Sequence, residues 1–472
     1  MELPEATWTF RRGHLRWRWI GGLVMLNLLA LWFLTRVLQG EITYEDIVRP
    51  TPTPTRSAVS WSEEAEAHFE AGNLEAAIEA YRQAVQVAPN DALLWARLAR
   101  VQTYSALLLT TDLERYERLQ AAVESATRAV EMDDESSFAH AVRAFALDWL
   151  ATAALTTPEE RANLLRQAEN EAARALLLDP DSGLALAYYA EVLLDQQRWI
   201  QAEEQAVKAV ERAPESMDTH RVYAYVLESL GRYREAIEQY LEAIRIAPNL
   251  TFLYLHVGFN YRYLASKAES RPAQQRLYEL ALEYFAQAVK INQRLGIQDP
   301  VPYLAIAKTY TQQGEFFIAA RNAERALLID PTDTQTYAQL GVIYVKARNY
   351  EGSLPLFKCV VEGCSPAETE DILDTIAEKF GLDPETIQGV QVDPLPLTNL
   401  TVAFYYVQYG SVLAALNQCD LAEPIFRQVE ARYPGDPVLG GIIQESRNIC
   451  RILRATPTLP PRPTATPTPL RP

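Results

Sequence analysis

The sequence predicts an all-α protein, an α-α superhelical solenoid of repeated helix hairpins behind one apolar helix. Three observations predict it. Pro180, Pro214 and Pro248 stand 34 residues apart. Each closes a similar phrase, RALLLDP, KAVERAP and EAIRIAP, and the phrase returns as QAVQVAP ending at Pro89 and RALLIDP ending at Pro331. Composition favours helices, with Ala, Leu and Glu plentiful and only 19 glycines among 472 residues. So long a chain would ordinarily divide into several cores, but a solenoid grows by units that touch only their neighbours.

Residues 1–18 carry Arg11, Arg12, Arg16 and Arg18, and Trp19 begins an uncharged run, WIGGLVMLNLLALWFLT, that ends at Thr35. These 17 residues extend past a snorkelling Arg36 to Leu38, and a bilayer needs about 17–25. Trp17, Trp19 and Trp32 suit the headgroup layer, while Glu41, Glu45 and Asp46 follow the run. Residues 19–38 are therefore expected to be a transmembrane anchor, with residues 1–18 cytoplasmic and the remainder extracytoplasmic. A cleaved signal peptide is the competing reading. The run is long for one, and Leu38 to Gly40 is a poor cleavage site.

Residues 39–57 contain RPTPTPTR, and residues 455–472 contain TPTLPPRPTATPTPLRP. Proline this dense donates no backbone hydrogen bonds and stays out of helices. The first segment is expected to be an extended spacer and the second a disordered tail. Thr-Pro tracts of this kind also suit glycosylation or contact with wall polymer.

Between them, residues 58–454 repeat a pattern of small residues and rings. Gly231, Tyr233, Ala236, Tyr240 and Ala243 precede Pro248, and Gly72, Leu74, Ala77, Tyr81 and Ala84 precede Pro89 at the same offsets. Trp61, Trp95, Tyr254, Tyr303 and Tyr337 hold matching places, and Gly258 and Gly341 follow Tyr254 and Tyr337 four residues on. Small residues let two helices cross closely, rings fill the space beside them, glycine permits the tight turn, and proline stops the second helix. This pattern resembles the tetratricopeptide repeat. Nine units are expected at 58–91, 92–136, 137–182, 183–216, 217–250, 251–299, 300–333, 334–367 and 403–436, closed by a helix over 437–454. Extra residues fall around Ser105–Asp112, Thr156–Ala162 and Lys267–Gln274, where they lengthen helices or bulge loops. Residues 367–399 form an insertion that reads as a short helix, a turn and extended chain. It is expected either to enter the groove, to cap an edge or to be inert.

The four cysteines are Cys359, Cys364, Cys419 and Cys450. Outside the membrane an even count suggests disulfides. Cys419 lies in the turn of the last unit and Cys450 near the end of the closing helix, which bring them to one edge. Cys359 and Cys364 can meet if the helix ends at Gly363. Buried thiols or zinc are the alternatives, though no CxxC spacing is present.

No catalytic, cofactor-binding or metal-ligating set is expected: His14, His68, His140, His220 and His256 lack paired ligands, and phosphate-loop, GxSxG and HExxH motifs are absent from the sequence. The formal charge of −17 argues against a nucleic-acid partner, and none is expected. The resemblance implies that the first helix of each unit lines a concave surface. Its inward places are Arg221 and Tyr225 in unit five, Phe252, Leu255, Phe259, Arg262 and Tyr263 in unit six, and Leu304 and Lys308 in unit seven. That aromatic band edged with cations suits an extended protein or peptide partner. The expected function is a membrane-anchored extracytoplasmic scaffold. An accessory subunit of a membrane enzyme or transporter, or a wall-polymer binder, is the alternative. Sequence leaves the oligomeric state open.

Overall fold

The computed structural model describes residues 15–39, 56–383 and 387–455. The chain divides between Ser57 and Ala58. The reading of residues 1–14, and of the Thr/Pro segments at 40–55 and 456–472, lies outside the described residues.

In the first unit, α1 spans Leu15–Leu38. Within it Trp19–Leu38 is long and apolar enough to cross a membrane, and its described side chains are exposed. The one amide in the run, Asn27, donates to the Leu23 carbonyl at 2.9 Å, so the helix satisfies its own polar group.

The second unit is a solenoid of nine hairpins among the described residues. Their pairs are α2 (Ala58–Glu70) with α3 (Leu74–Val87), α4 (Ala92–Ser105) with α5 (Asp112–Met132), and α6 (Ser137–Thr152) with α7 (Pro158–Leu178). Then come α8 (Gly183–Asp195) with α9 (Trp199–Arg212), α10 (Met217–Ser229) with α11 (Tyr233–Ile246), and α12 (Thr251–Ser266) with α13 (Arg271–Leu295). The array continues as α14 (Val301–Gln313) with α15 (Phe316–Ile329) and α16 (Thr334–Lys346) with α17 (Tyr350–Val361). An inserted α18 (Pro366–Phe380) precedes the last hairpin, α19 (Leu400–Ala415) with α20 (Cys419–Arg432), and the closing α21 (Pro437–Ala455).

Where the repeated proline is present, it ends the second helix through the residue before it. Ala88, Asp179, Ala213, Ala247 and Asp330 all have ψ between 70° and 92°, because the proline ring bars them from helical ψ. The next turn is then locked by a ring on the following helix. Trp95 Nε1, Tyr254 Oη and Tyr337 Oη donate to the carbonyls of Pro89, Pro248 and Pro331 at 2.8–3.0 Å. His140 and His220 fill the same place toward Asp134 and Pro214. That accounts for two of the histidines as turn locks.

The tight turn inside a hairpin needs a left-handed residue, which is Gly72 (φ 83°) in unit one. Units four, eight and nine place Gln197, Arg348 and Asn417 there instead, at φ 60–63°. The three stretches of extra sequence mostly lengthen the second helix: α5 and α7 have 21 residues and α13 has 25.

The described part of the insertion packs beside a second helix of the array. Helix α18 lies against α15, where Ile372, Leu373 and Ile376 join the core of units seven and eight. Lys379 Nζ bonds Glu324 and Tyr344, both at 2.8 Å. The return strand then pairs Val392 with Cys364 and hangs Leu395 on the Val360 carbonyl at 2.8 Å. Disulfides join Cys359 to Cys364 and Cys419 to Cys450. The first pins the start of this strap, and the second pins α21 to the start of α20.

Close helix crossing is set by glycine facing a ring. A Cβ on Gly258 would overlap the Phe285 ring, and one on Gly410 would overlap Phe426. Gly258→Ala is expected to destabilise the solenoid by about 1–3 kcal/mol. Phe285→Leu in the same chain should recover part of that loss, read by thermal melting of the helical circular dichroism.

Candidate functional site

The inner face of the first six hairpins is a core. Arg100 on α4 pairs with Asp218 on α10 at 2.5 Å, across 118 residues of sequence. Tyr104 and Tyr188 also donate to Asp218, and the Tyr104 ring stacks on Phe252 of α12 at 5.5 Å. At the rim, the Asn249 amide donates to the Glu70 carbonyl at 2.9 Å, and Gly72 abuts the Asn249 backbone. The superhelix thus bends until unit two meets units five and six. Small inner residues such as Ala96, Ala141, Ala185, Ala187 and Ala224, all fully buried, allow that curvature.

Closure relocates part of the expected groove. Arg221 is buried and holds Glu191 with two bonds of 2.8 and 2.5 Å, while its Nε donates to the Tyr104 hydroxyl. Phe252 is buried against Tyr104, and Leu255 is buried with Phe285. All three lie outside the open cleft, because the curvature brings facing inner helices into contact: Leu255 is core, and Arg221 and Phe252 line a small inner cavity. Leu304 is half-buried on α14, outside the cleft described next.

The remaining five come together. Tyr225 of α10, Phe259, Arg262 and Tyr263 of α12, and Lys308 of α14 line an open cleft of about 580 Å³. Glu228, Tyr233 and Gln312 also line it and are not among the inward places expected from the sequence. Tyr233 packs on Tyr263 with ring centroids 4.1 Å apart. Phe259 packs on Phe285 at 5.3 Å, and the Arg262 guanidinium lies 5.1 Å over the Phe259 ring.

Charge in this cleft is unbalanced. Arg262 donates only to a backbone carbonyl, that of Ala305 at 3.2 Å, and neither Arg262 nor Lys308 has an ion pair among the described residues. Burial pushes the Arg262 pKa down, and burial followed by the Arg262 charge pushes Lys308 down. The nearby carboxylate, Glu228, is taken by Tyr240 and His256 at 3.0 and 3.1 Å. Two cations that lack counter-charges favour an anionic guest. A larger hollow of about 860 Å³ lies beside the Cys419–Cys450 bridge, but its Arg447 and Arg454 are already paired with Glu423, Glu430 and Asp420.

Among the described residues no group of three or more His, Cys, Asp or Glu is placed to hold a metal ion. The architecture is that of a scaffold.

Two tetratricopeptide-repeat family models match the sequence, one over residues 192–250 and one over residues 58–101. With the nine hairpins, they make the chain a tetratricopeptide-type helical solenoid. No curated protein matches it. Among solved structures it is similar to TTC0263, a thermophilic TPR protein in Thermus thermophilus, at 19% identity over 43% of this chain and 98% of that one, with a TM-score of 0.36. It is also similar to the human IFIT1 dimer with PPP-AAAA, at 17% identity over 81% of this chain and 92% of that one, with a TM-score of 0.44. The human IFIT1 dimer with m7Gppp-AAAA gives 17% identity, 89% of both chains and a TM-score of 0.45. Likenesses this distant assign no ligand to this chain.

They do correct one expectation. The acidic composition speaks against a nucleic-acid partner, yet a matched solenoid stands with PPP-AAAA and m7Gppp-AAAA. Net charge sums the whole surface, whereas a ligand meets the potential of one cleft. The expectation that no nucleic acid binds therefore does not stand.

The buried Arg221–Glu191 pair sets a stability test. Arg221→Met leaves Glu191 uncompensated beside Asp148 and Asp195, and is expected to cost about 3–5 kcal/mol in urea unfolding. Arg221→Met with Glu191→Leu is expected to lose clearly less than the single variant.

Proposed function

We propose that this protein is a membrane-anchored extracytoplasmic scaffold that holds an extended, acidic protein segment in the cleft of units five to seven. The observation that carries this reading is the pair Arg262 and Lys308, without counter-charges among the described residues, beside the Phe259, Tyr263 and Tyr233 rings. Rings bury apolar side chains of a guest at low entropic cost, and the two cations recover their missing counter-charge from its carboxylates. Tyr263 is 42% exposed, so its ring is available to a guest.

Two further features support the placement. Helix α1 has the length and apolar character of an anchor. All four cysteines are paired, as suits an oxidising compartment. In this reading residues 1–18 are cytoplasmic, residues 19–38 span the membrane, residues 39–57 are a spacer, residues 58–454 carry the binding surface with its strap at 367–399, and residues 455–472 are a tail.

Lys308→Glu reverses one charge on an exposed side chain and leaves the core intact. A partner that co-purifies with the full chain from native membranes is expected to fall at least tenfold with Lys308→Glu or Phe259→Ala. Lys308→Arg should retain it. Equal recovery with all three variants would refute the cleft as its binding surface.

A further inference from the structure

A second, separate site lies inside the closed turn. Asp148 stands mid-way along α6 with 0% exposure, and its carboxyl meets only that of Asp195, with no donor from any other described residue. Burying an unpaired carboxylate is costly, so a native structure keeps one only against some compensation. The neighbouring charges do not supply it. Arg221 is committed to Glu191, and Arg100 to Asp218. Arg161 of α7 gives its Nε to the Ala151 carbonyl. Of four inner carboxylates, two have guanidinium partners, and Asp148 and Asp195 are left over.

Asp195 lines a cavity of about 200 Å³ that is distinct from the cleft, although Tyr225 touches both. Its other walls include the rings of Trp149, Phe252 and Tyr240 and the mutually paired Arg221 and Glu191. The polar groups around it are already engaged. Tyr225 donates weakly to Asp195 at 3.4 Å, Trp149 Nε1 donates to Glu191 at 3.1 Å, and Tyr240 and His256 both bond Glu228. Aromatic faces and a surplus carboxylate around one small space are the elements that recognise an organic cation.

We infer that this cavity binds a small organic cation, an alkylammonium or guanidinium group, held by Asp195 with Asp148 behind it and enclosed by Trp149 and Phe252. The volume limits the guest to a handful of heavy atoms. A free amine and a protruding lysine side chain share this chemistry, and the test separates them. The inference stands independently of the peptide cleft.

Without a guest, a proton takes the cation's place. Burial, then the charge of Glu191, raises the Asp195 pKa to about 6, and burial with the charges of Asp195 and Glu191 raises Asp148 as well. The folded state therefore holds more protons than the unfolded chain above pH 3.8, and this contribution to stability is lost as pH rises through about 6. A cation must displace that proton, so it binds more tightly as pH rises.

The test is titration calorimetry of the full chain with butylammonium, with butanol as neutral control and a capped Gly-Lys-Gly peptide as the second arm. Butylammonium is expected to bind about fourfold more tightly at about pH 7.5 than at about pH 5.5, as titration of one carboxyl near 6 requires. Butanol should not bind. Asp195→Asn should weaken butylammonium at least tenfold while leaving the thermal midpoint at neutral pH unchanged or higher, which shows that the variant folds. Binding of the amine alone assigns a free ligand, and binding of the peptide as well assigns a side chain. No heat with butylammonium, or wild-type affinity independent of pH, would overturn the inference without reference to any variant.

Discussion

The second hairpin meets the fifth through Arg100 and Asp218, and most of what distinguishes this solenoid depends on that pair. An open superhelix leaves its first helices facing water. Here the curvature brings α4, α10 and α12 together, so that Asp218 receives Arg100, Tyr104 and Tyr188 at once. The carboxylate stays charged despite its burial because two guanidinium groups and the hydroxyls that donate to it hold its pKa down. Buried side chains from Ala65 to Val257 then form one continuous core, which a string of independent hairpins would not share.

Closure divides the inner surface into three parts with different chemistry. The centre is a set of matched ion pairs and stacked rings. Beside it, Asp195 lines a small cavity, with the carboxyl of Asp148 next to it. Farther along α12, and on α14, Arg262 and Lys308 leave a cationic cleft. Tyr225 lines both the cavity and the cleft.

Hairpins, turns and disulfides are legible in the sequence because each rests on local rules. A proline restricts the residue before it, a ring at the fourth place of the next helix reaches the turn carbonyl, and Cys419 and Cys450 lie on helices whose ends share an edge. The closed turn is not legible in this way. It joins residues about 120 positions apart, and its signal is spread over small inner residues such as Ala185 and Ala224 that also serve ordinary helix packing. The local pattern therefore marks Arg221, Phe252 and Leu255 as open groove, whereas the closed turn buries them. Asp148 within AFALDWL and Glu191 within YYAEVLLD offer a usable hint, since acids inside apolar helices call for partners. The course of the insertion depends on long-range contacts between Ile372, Ile376 and the core beside α15, which the local pattern does not encode.

The closed turn is tested most directly by a double-mutant cycle on Arg100→Met and Asp218→Leu, with stability read by urea unfolding. If α4 and α10 touch as described, the double variant loses less than the sum of the single ones, with a coupling of about 0.5–3 kcal/mol. Losses that add to within about 0.5 kcal/mol would mean that residues so far apart in sequence do not meet, and that the superhelix is open.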